Sequence, residues 1–195
     1  MPKISTIPTL FDEVKKLDAA KLKQWHYLEP EQIKSGVIRW WRGGSEIGSI
    51  SITADMTGEP QIRLSYNSMG EPVNYTVHLS SLPSNLGIGR IWLFICPVTG
   101  KRCRYLYAAG KYFLHREAHS GCLYESQTYS KQQRELNKTC RVYFGADKLY
   151  EELYSKYFKT HYAGKPTKRY NQIMRKIEQA ELISLDTIEK MLIQA

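Results

Sequence analysis

The sequence predicts an α+β protein: an antiparallel β-meander, an attached pair of short hairpins, and a C-terminal helical part. Three observations lead there. From Val37 to Leu82 apolar residues recur at every second position; from residue 90 to 128 short runs alternate with Gly, Pro and Cys; beyond residue 129 apolar residues recur at three and four. With 195 residues, 42% of them hydrophobic, the chain can bury a full core and carry a helical appendage. The expected organisation is an N-terminal arm and short helix over 1–36, the sheet over 37–89, the hairpin pair over 90–128 and the helical region over 129–195.

Residues 1–17 carry Pro2 and Pro8 and predict an irregular arm or a short helix around Leu10 to Lys16. Asp18 can cap a helix through Ala19-Ala20-Lys21-Leu22-Lys23-Gln24-Trp25, with Leu17 and Leu22 as the two halves of a hydrophobic staple. In the sheet region Ile50 and Ile52 alternate with Ser49 and Ser51. Ile62 and Leu64 follow the same rule, and Val73, Tyr75, Val77 and Leu79 alternate with Asn74, Thr76 and His78. Short connectors at Thr57–Pro60 and Asn67–Pro72 favour antiparallel neighbours. His78 falls on the polar face, where solvation is expected. Of the paired Trp40 and Trp41, a lid over the core is expected ahead of a stacking platform.

The C-terminal part reads as helices. Leu149, Tyr150, Leu153, Tyr154, Tyr157 and Phe158 form an aromatic-rich stripe expected to face a core. A basic break, Lys165-Pro166-Thr167-Lys168-Arg169-Tyr170, precedes a second helix through Ile173, Met174 and Ile177. The last starts near Asp186, which has capping-box spacing to Glu189.

The formal charge of +9 is unevenly placed: Arg90, Lys101, Arg102, Arg104, Lys111 and Arg116 occur between residues 90 and 116 with no acid among them. They are interleaved with Trp92, Phe94, Tyr105, Tyr107, Tyr112 and Phe113. Cations that neutralise phosphates beside rings that pack or stack are the composition of a nucleic-acid surface. Between Lys131 and Lys176 twelve basic residues face four acids, so Lys168 and Arg169 are expected to extend the positive surface.

The stretch from Trp92 to Ser126 holds three of the four cysteines and two of the five histidines. Cys96-Pro97-Val98-Thr99-Gly100-Lys101-Arg102-Cys103 has the proline, glycine and basic exit of a zinc knuckle. Tetrahedral zinc needs four converging ligands, and several sets are open. Cys96 and Cys103 with His115 and His119 make a two-cysteine, two-histidine set, although six residues between the cysteines is wide for a knuckle. Cys122 can substitute for one histidine, Cys96 and Cys122 can act with solvent, or the cysteines can pack as small apolar residues without metal. His115-Arg116-Glu117-Ala118-His119 differs from the HExxH protease pattern in the position of its acid.

The chain resembles a widespread family of uncharacterised bacterial proteins whose centre reads approximately W-F-x-C-P-x-C-G-R-R-x-x-x-L-Y, then G-x-x-F-x-C-R-x-C-x-x-L-x-Y-x-S-Q. Trp92, Cys96, Pro97, Gly100, Lys101, Arg102, Leu106, Tyr107, Phe113, Arg116, Tyr124, Ser126 and Gln127 match it where they stand. The likeness extends from Asp18 to the Lys165–Tyr170 segment. It implies a zinc-ribbon-like fold for residues 90–128 and an accessory role on bacterial mobile elements. Thr99 occupies the place of the family's second cysteine and His115 that of the third, while His119 is the best substitute for the fourth.

The leading expectation is a non-enzymatic protein that contacts DNA or RNA mostly through phosphates, using Lys101, Arg102, Arg104, Lys111 and Arg116. A protein–protein adaptor is the alternative, and a metal-dependent hydrolase or nuclease using His115, Glu117 and His119 the third. No Gly-rich phosphate loop or nucleophile elbow favours catalysis. No signal-peptide core or membrane-length apolar run is present, so no membrane partner and a cytoplasmic, reducing location are expected.

Overall fold

The computed structural model describes residues 8–85 and 87–194, and shows an α+β protein that divides into two compact units, residues 1–125 and 126–195. Of the expected N-terminal arm, residues 1–7 lie outside the described residues.

The first unit begins at a turn after Leu10, which bridges to Leu123 in parallel. In place of a helix over 10–16, the chain enters strand β1 (Lys16–Asp18) and then helix α1 (Ala19–Gln24). The Asp18 carboxylate accepts the Ala20 amide at 2.9 Å, capping an otherwise orphaned donor. Leu17 and Leu22 are both buried, as the staple spacing predicts. Six further strands form one antiparallel sheet in the order β2 (Ile33–Arg42), β3 (Ser45–Asp55), β4 (Gln61–Ser68), β5 (Glu71–Pro83), β6 (Arg90–Ile95) and β7 (Arg102–Cys103). Each connection joins neighbours, so the sheet is a meander; β2 starts four residues ahead of the alternation at Val37.

Register explains the buried face. Ile52 lies opposite Leu64, Ile62 opposite Val77, Leu79 opposite Phe94 and Phe94 opposite Cys103, and all are buried. Because side chains alternate across a strand, one apolar set covers one face. Each such residue contributes about 1.5–3 kcal/mol relative to exposure. His78 is exposed, on the polar face. Trp40 packs against the core, its ring stacked on Phe113 with centroids 5.6 Å apart, and its indole N–H donates to the Lys16 carbonyl. Trp41, one residue past a register shift, is 62% exposed. The tryptophans therefore divide: one is the expected lid and the other faces solvent.

The hairpin pair is built onto this sheet. Strands β6 and β7 make the first hairpin. Strand β8 (Tyr105–Tyr107) leaves the sheet to pair with β1, and reciprocal bonds between Tyr107 and Leu114 turn the chain back across Gly110; the second of the expected hairpins, Lys111–His115 against Leu123–Ser126, is not formed among the described residues, because Leu123 bonds to Thr9 and Phe11 instead. A 3-10 turn over Arg116–Ala118 follows.

The one-turn helix α2 (Glu125–Thr128) spans the division between the units. In the second unit helix α3 (Lys131–Leu153) is capped by Ser130, whose hydroxyl accepts the Gln133 amide at 3.0 Å. A two-stranded hairpin, β9 (His161–Tyr162) and β10 (Lys165–Pro166), turns through Ala163 and Gly164, both at positive φ as a tight hairpin turn requires. Thr167 caps helix α4 (Lys168–Glu181), which buries Ile173, Ile177 and Ala180; helix α5 (Leu185–Gln194) buries Ile188. Two expectations need correction. Tyr154 and Tyr157 are 80% and 85% exposed, because α3 ends at Leu153 and the stripe runs past its end. The last helix does begin near Asp186, at Leu185, but the capping contact comes from Ser184, whose hydroxyl accepts the Thr187 amide, while Asp186 pairs with Lys190.

Candidate nucleic-acid interface

The knuckle at the tip of β6–β7 is held by its backbone. The Gly100 amide donates to the Cys96 carbonyl at 2.8 Å and the Cys96 amide to the Lys101 carbonyl at 3.0 Å. Gly100 sits at φ +66, a left-handed conformation that glycine adopts without a Cβ clash. The His115 amide donates to the Cys96 sulfur at 3.3 Å. Burial pushes the Cys96 thiol up, but hydrogen bonds from the Thr99 hydroxyl and from the His115, Thr99 and Val98 amides outweigh it, so its pKa lies below the ordinary value. Burial, with the nearby Cys96, pushes Cys103 up to about 12.

These features preserve the turn of a knuckle without assembling a ligand set. Among the described residues no three of His, Cys, Asp and Glu form a group that could hold a metal ion. His119 is engaged with the Tyr107 carbonyl at 2.9 Å through Nε2, and Nδ1 of His115 is buried with no hydrogen-bond partner among the described residues. Burial holds the His115 imidazole below its ordinary pKa. No three of Cys96, Cys103, His115 and His119, with Cys122 as substitute, come together in such a group among the described residues. Of the triad His115, Glu117 and His119, Glu117 is bound to Lys101 and His119 to the Tyr107 carbonyl.

The basic residues separate into two groups. Lys101 is paired with Glu117 and Lys111 with Glu71. The Lys101 hydrogen bond lowers the Glu117 pKa, and the Lys111 hydrogen bond lowers that of Glu71. Arg102, Arg104 and Arg116 have no acidic partner among the described residues. Cys103 is buried opposite Phe94, so Arg102 beside it in β7 turns to the other face, and Arg104 is exposed at the bend between β7 and β8. The 3-10 turn brings Arg116 to them. All three line a shallow pocket of about 190 Å³ together with Cys103, Tyr105, Tyr107, His115 and Tyr124.

The tyrosines are fixed from behind. Phe11 packs on Tyr107 and Tyr124 with centroids 4.8 and 5.2 Å away, and the two phenol oxygens lie 3.1 Å apart. Burial, then the bond with Tyr124, pushes the Tyr107 phenol well above its ordinary range, so it stays protonated. Phe11 escaped the sequence reading because it belongs to an arm without periodicity. The bridge from Leu10 to Leu123 that brings it here spans most of the unit.

In the second unit Lys168 is exposed at the start of α4, while Arg169 is bound to Glu152, with Nε 2.6 Å from its carboxylate. The hydrogen bond from Arg169 lowers the Glu152 pKa. Among the described residues no helix is long and apolar enough to cross a membrane. Comparison with protein-family models, curated proteins and solved structures finds no match for this chain.

Proposed function

We propose that the chain is a non-enzymatic nucleic-acid-binding protein that contacts phosphates through Arg102, Arg104 and Arg116. One observation carries this reading: three guanidiniums without acidic partners among the described residues surround one pocket walled by Tyr105, Tyr107 and Tyr124. Guanidinium forks match phosphate geometry and remain charged at all physiological pH. Tyr107 is buried behind the pocket, while the half-buried rings of Tyr105 and Tyr124 can take a base face. Lys101 and Lys111 contribute less, because each must first leave a carboxylate. Lys168 is an exposed cation of the second unit.

The test is fluorescence anisotropy of a labelled twenty-residue single strand across 50–200 mM salt. Each neutralised phosphate contributes about 0.7 to the slope of log affinity against log salt on a single strand. Replacing all three arginines by alanine should therefore lower the slope by about 2. Lys101→Ala with Lys111→Ala should lower it by less. Absence of binding at low salt, or a slope unchanged in the triple variant, rejects the reading.

A further inference from the structure

Strands β3 and β4 are paired only as far as Ser51 opposite Ser65. Beyond that point β3 continues through residues 45–50 beside β2 alone, and β4 continues through Tyr66, Asn67 and Ser68 beside β5 alone. The sheet is split. Lys15 and the segment around residues 108–113 close the other side, leaving a cleft of about 510 Å³, within the range of roughly 300–1,000 Å³ typical of small-molecule sites.

A β-bulge lies on this cleft. Trp40 pairs with Gly48 and Trp41 with Glu46, so Ile47 is the extra residue. Bulges re-aim side chains and are frequent beside binding sites; here Ile47 lines the cleft while 40% exposed, beside Val37 at 48%. Gly48, at φ +154, has no side chain where Lys15 crosses it, and a Cβ there would stand 2.8 Å from the Lys15 ammonium. That ammonium has no hydrogen-bond or ion-pair partner among the described residues, whereas Lys111 on the same cleft is bound to Glu71.

Three chemistries are side by side. A free cation suits a phosphate. Ser49, Ser51, Ser65 and Asn67 offer hydroxyls and an amide to sugar oxygens. Ile47 and Val37 offer exposed apolar surface to a flat base. We propose that this cleft binds a nucleoside 5′-monophosphate, either free or as one residue of a single strand. The proposal stands on the cleft alone and does not require the arginine surface to bind nucleic acid.

Calorimetric titration of the full chain with adenosine 5′-monophosphate, adenosine and inorganic phosphate tests it. One saturable site for the monophosphate is expected, with adenosine and phosphate each at least tenfold weaker. Lys15→Met should weaken the monophosphate at least tenfold with an unchanged circular dichroism spectrum, and Lys15→Arg should stay within about threefold of wild type, the guanidinium retaining charge. The triple arginine variant should keep its monophosphate affinity. A labelled ten-residue adenylate strand then assigns the source: weakening by Lys15→Met marks a residue of a strand, and no weakening marks the free nucleotide. Absent binding, phosphate binding as tight as the monophosphate, or indifference to Lys15→Met overturns the proposal.

Discussion

Phe113 is the ring on which the hairpin pair is anchored to the sheet, and removing it gives a stability change that can be worked out in advance. It is 2% exposed, stacked on Trp40 and edge-on to Tyr66 with centroids 5.5 Å apart. Its amide donates to the Tyr75 hydroxyl at 2.8 Å, and that hydroxyl donates to its carbonyl at 3.2 Å. Phe113→Ala should cost about 3–5 kcal/mol, the sum of lost transfer energy and a residual cavity. Phe113→Leu keeps most of the apolar bulk but loses two ring pairs worth about 0.5–1.5 kcal/mol each, so about 1–3 kcal/mol is expected. A double-mutant cycle with Trp40→Leu isolates the stacked pair, which should couple by about 0.5–1.5 kcal/mol. Urea unfolding followed by tryptophan fluorescence reads this unit selectively, because Trp25, Trp40, Trp41 and Trp92 all belong to it. Additivity of the two substitutions within about 0.3 kcal/mol would refute the claim that the stacked rings form one unit of packing.

Acid should weaken the hairpin pair through His115. Its pKa is lowered by burial from 6.5, so the unfolded chain takes up the proton first. Stability is therefore full above pH 6.5 and falls as pH drops below it; the urea midpoint should decline less between pH 7.5 and 5.5 in His115→Phe than in wild type. Gly36→Ala would place a Cβ 2.1 Å from the Tyr27 hydroxyl oxygen. An overpacking cost of about 1–3 kcal/mol is expected, and adding Tyr27→Phe should recover part of it in the same fluorescence assay. Thr167 caps α4 by accepting the Tyr170 amide at 3.1 Å and donates to the Lys159 carbonyl at 2.9 Å. Thr167→Ala should cost about 0.5–2 kcal/mol of second-unit stability by helical circular dichroism, with Thr167→Ser retaining most of it.

The strands were legible because their period is local. Ile50, Ile52, Ile62, Leu64, Val77 and Leu79 were expected on one face, and each is buried there. The cap of α1 was equally legible, since Asp18 and Ala20 are two residues apart. The stripe from Leu149 to Phe158 misled for a related reason: spacing shows that residues share a face, but not where the helix stops or what covers it. The knuckle's proline and glycine marked the turn, yet its ligands could not be judged from spacing, because His119 is held by a carbonyl twelve residues away.

By itself the sequence determined the α+β class, the placing of the meander ahead of the C-terminal helices and the concentration of positive charge, all properties of neighbours along the chain; the paired strands β1 and β8, and β9 and β10, it did not. Tertiary structure alone decided which of those charges remain available. Glu117 reaches Lys101 across 16 residues, Glu71 reaches Lys111 across 40, and Glu152 reaches Arg169 across 17. Arg102, Arg104 and Arg116 are left facing one pocket. Likewise nothing in the alternation of β3 and β4 announces that their pairing ends at Ser51 and Ser65. Side-chain period specifies a face, whereas charge pairing and the parting of two strands depend on segments that meet only in the folded chain.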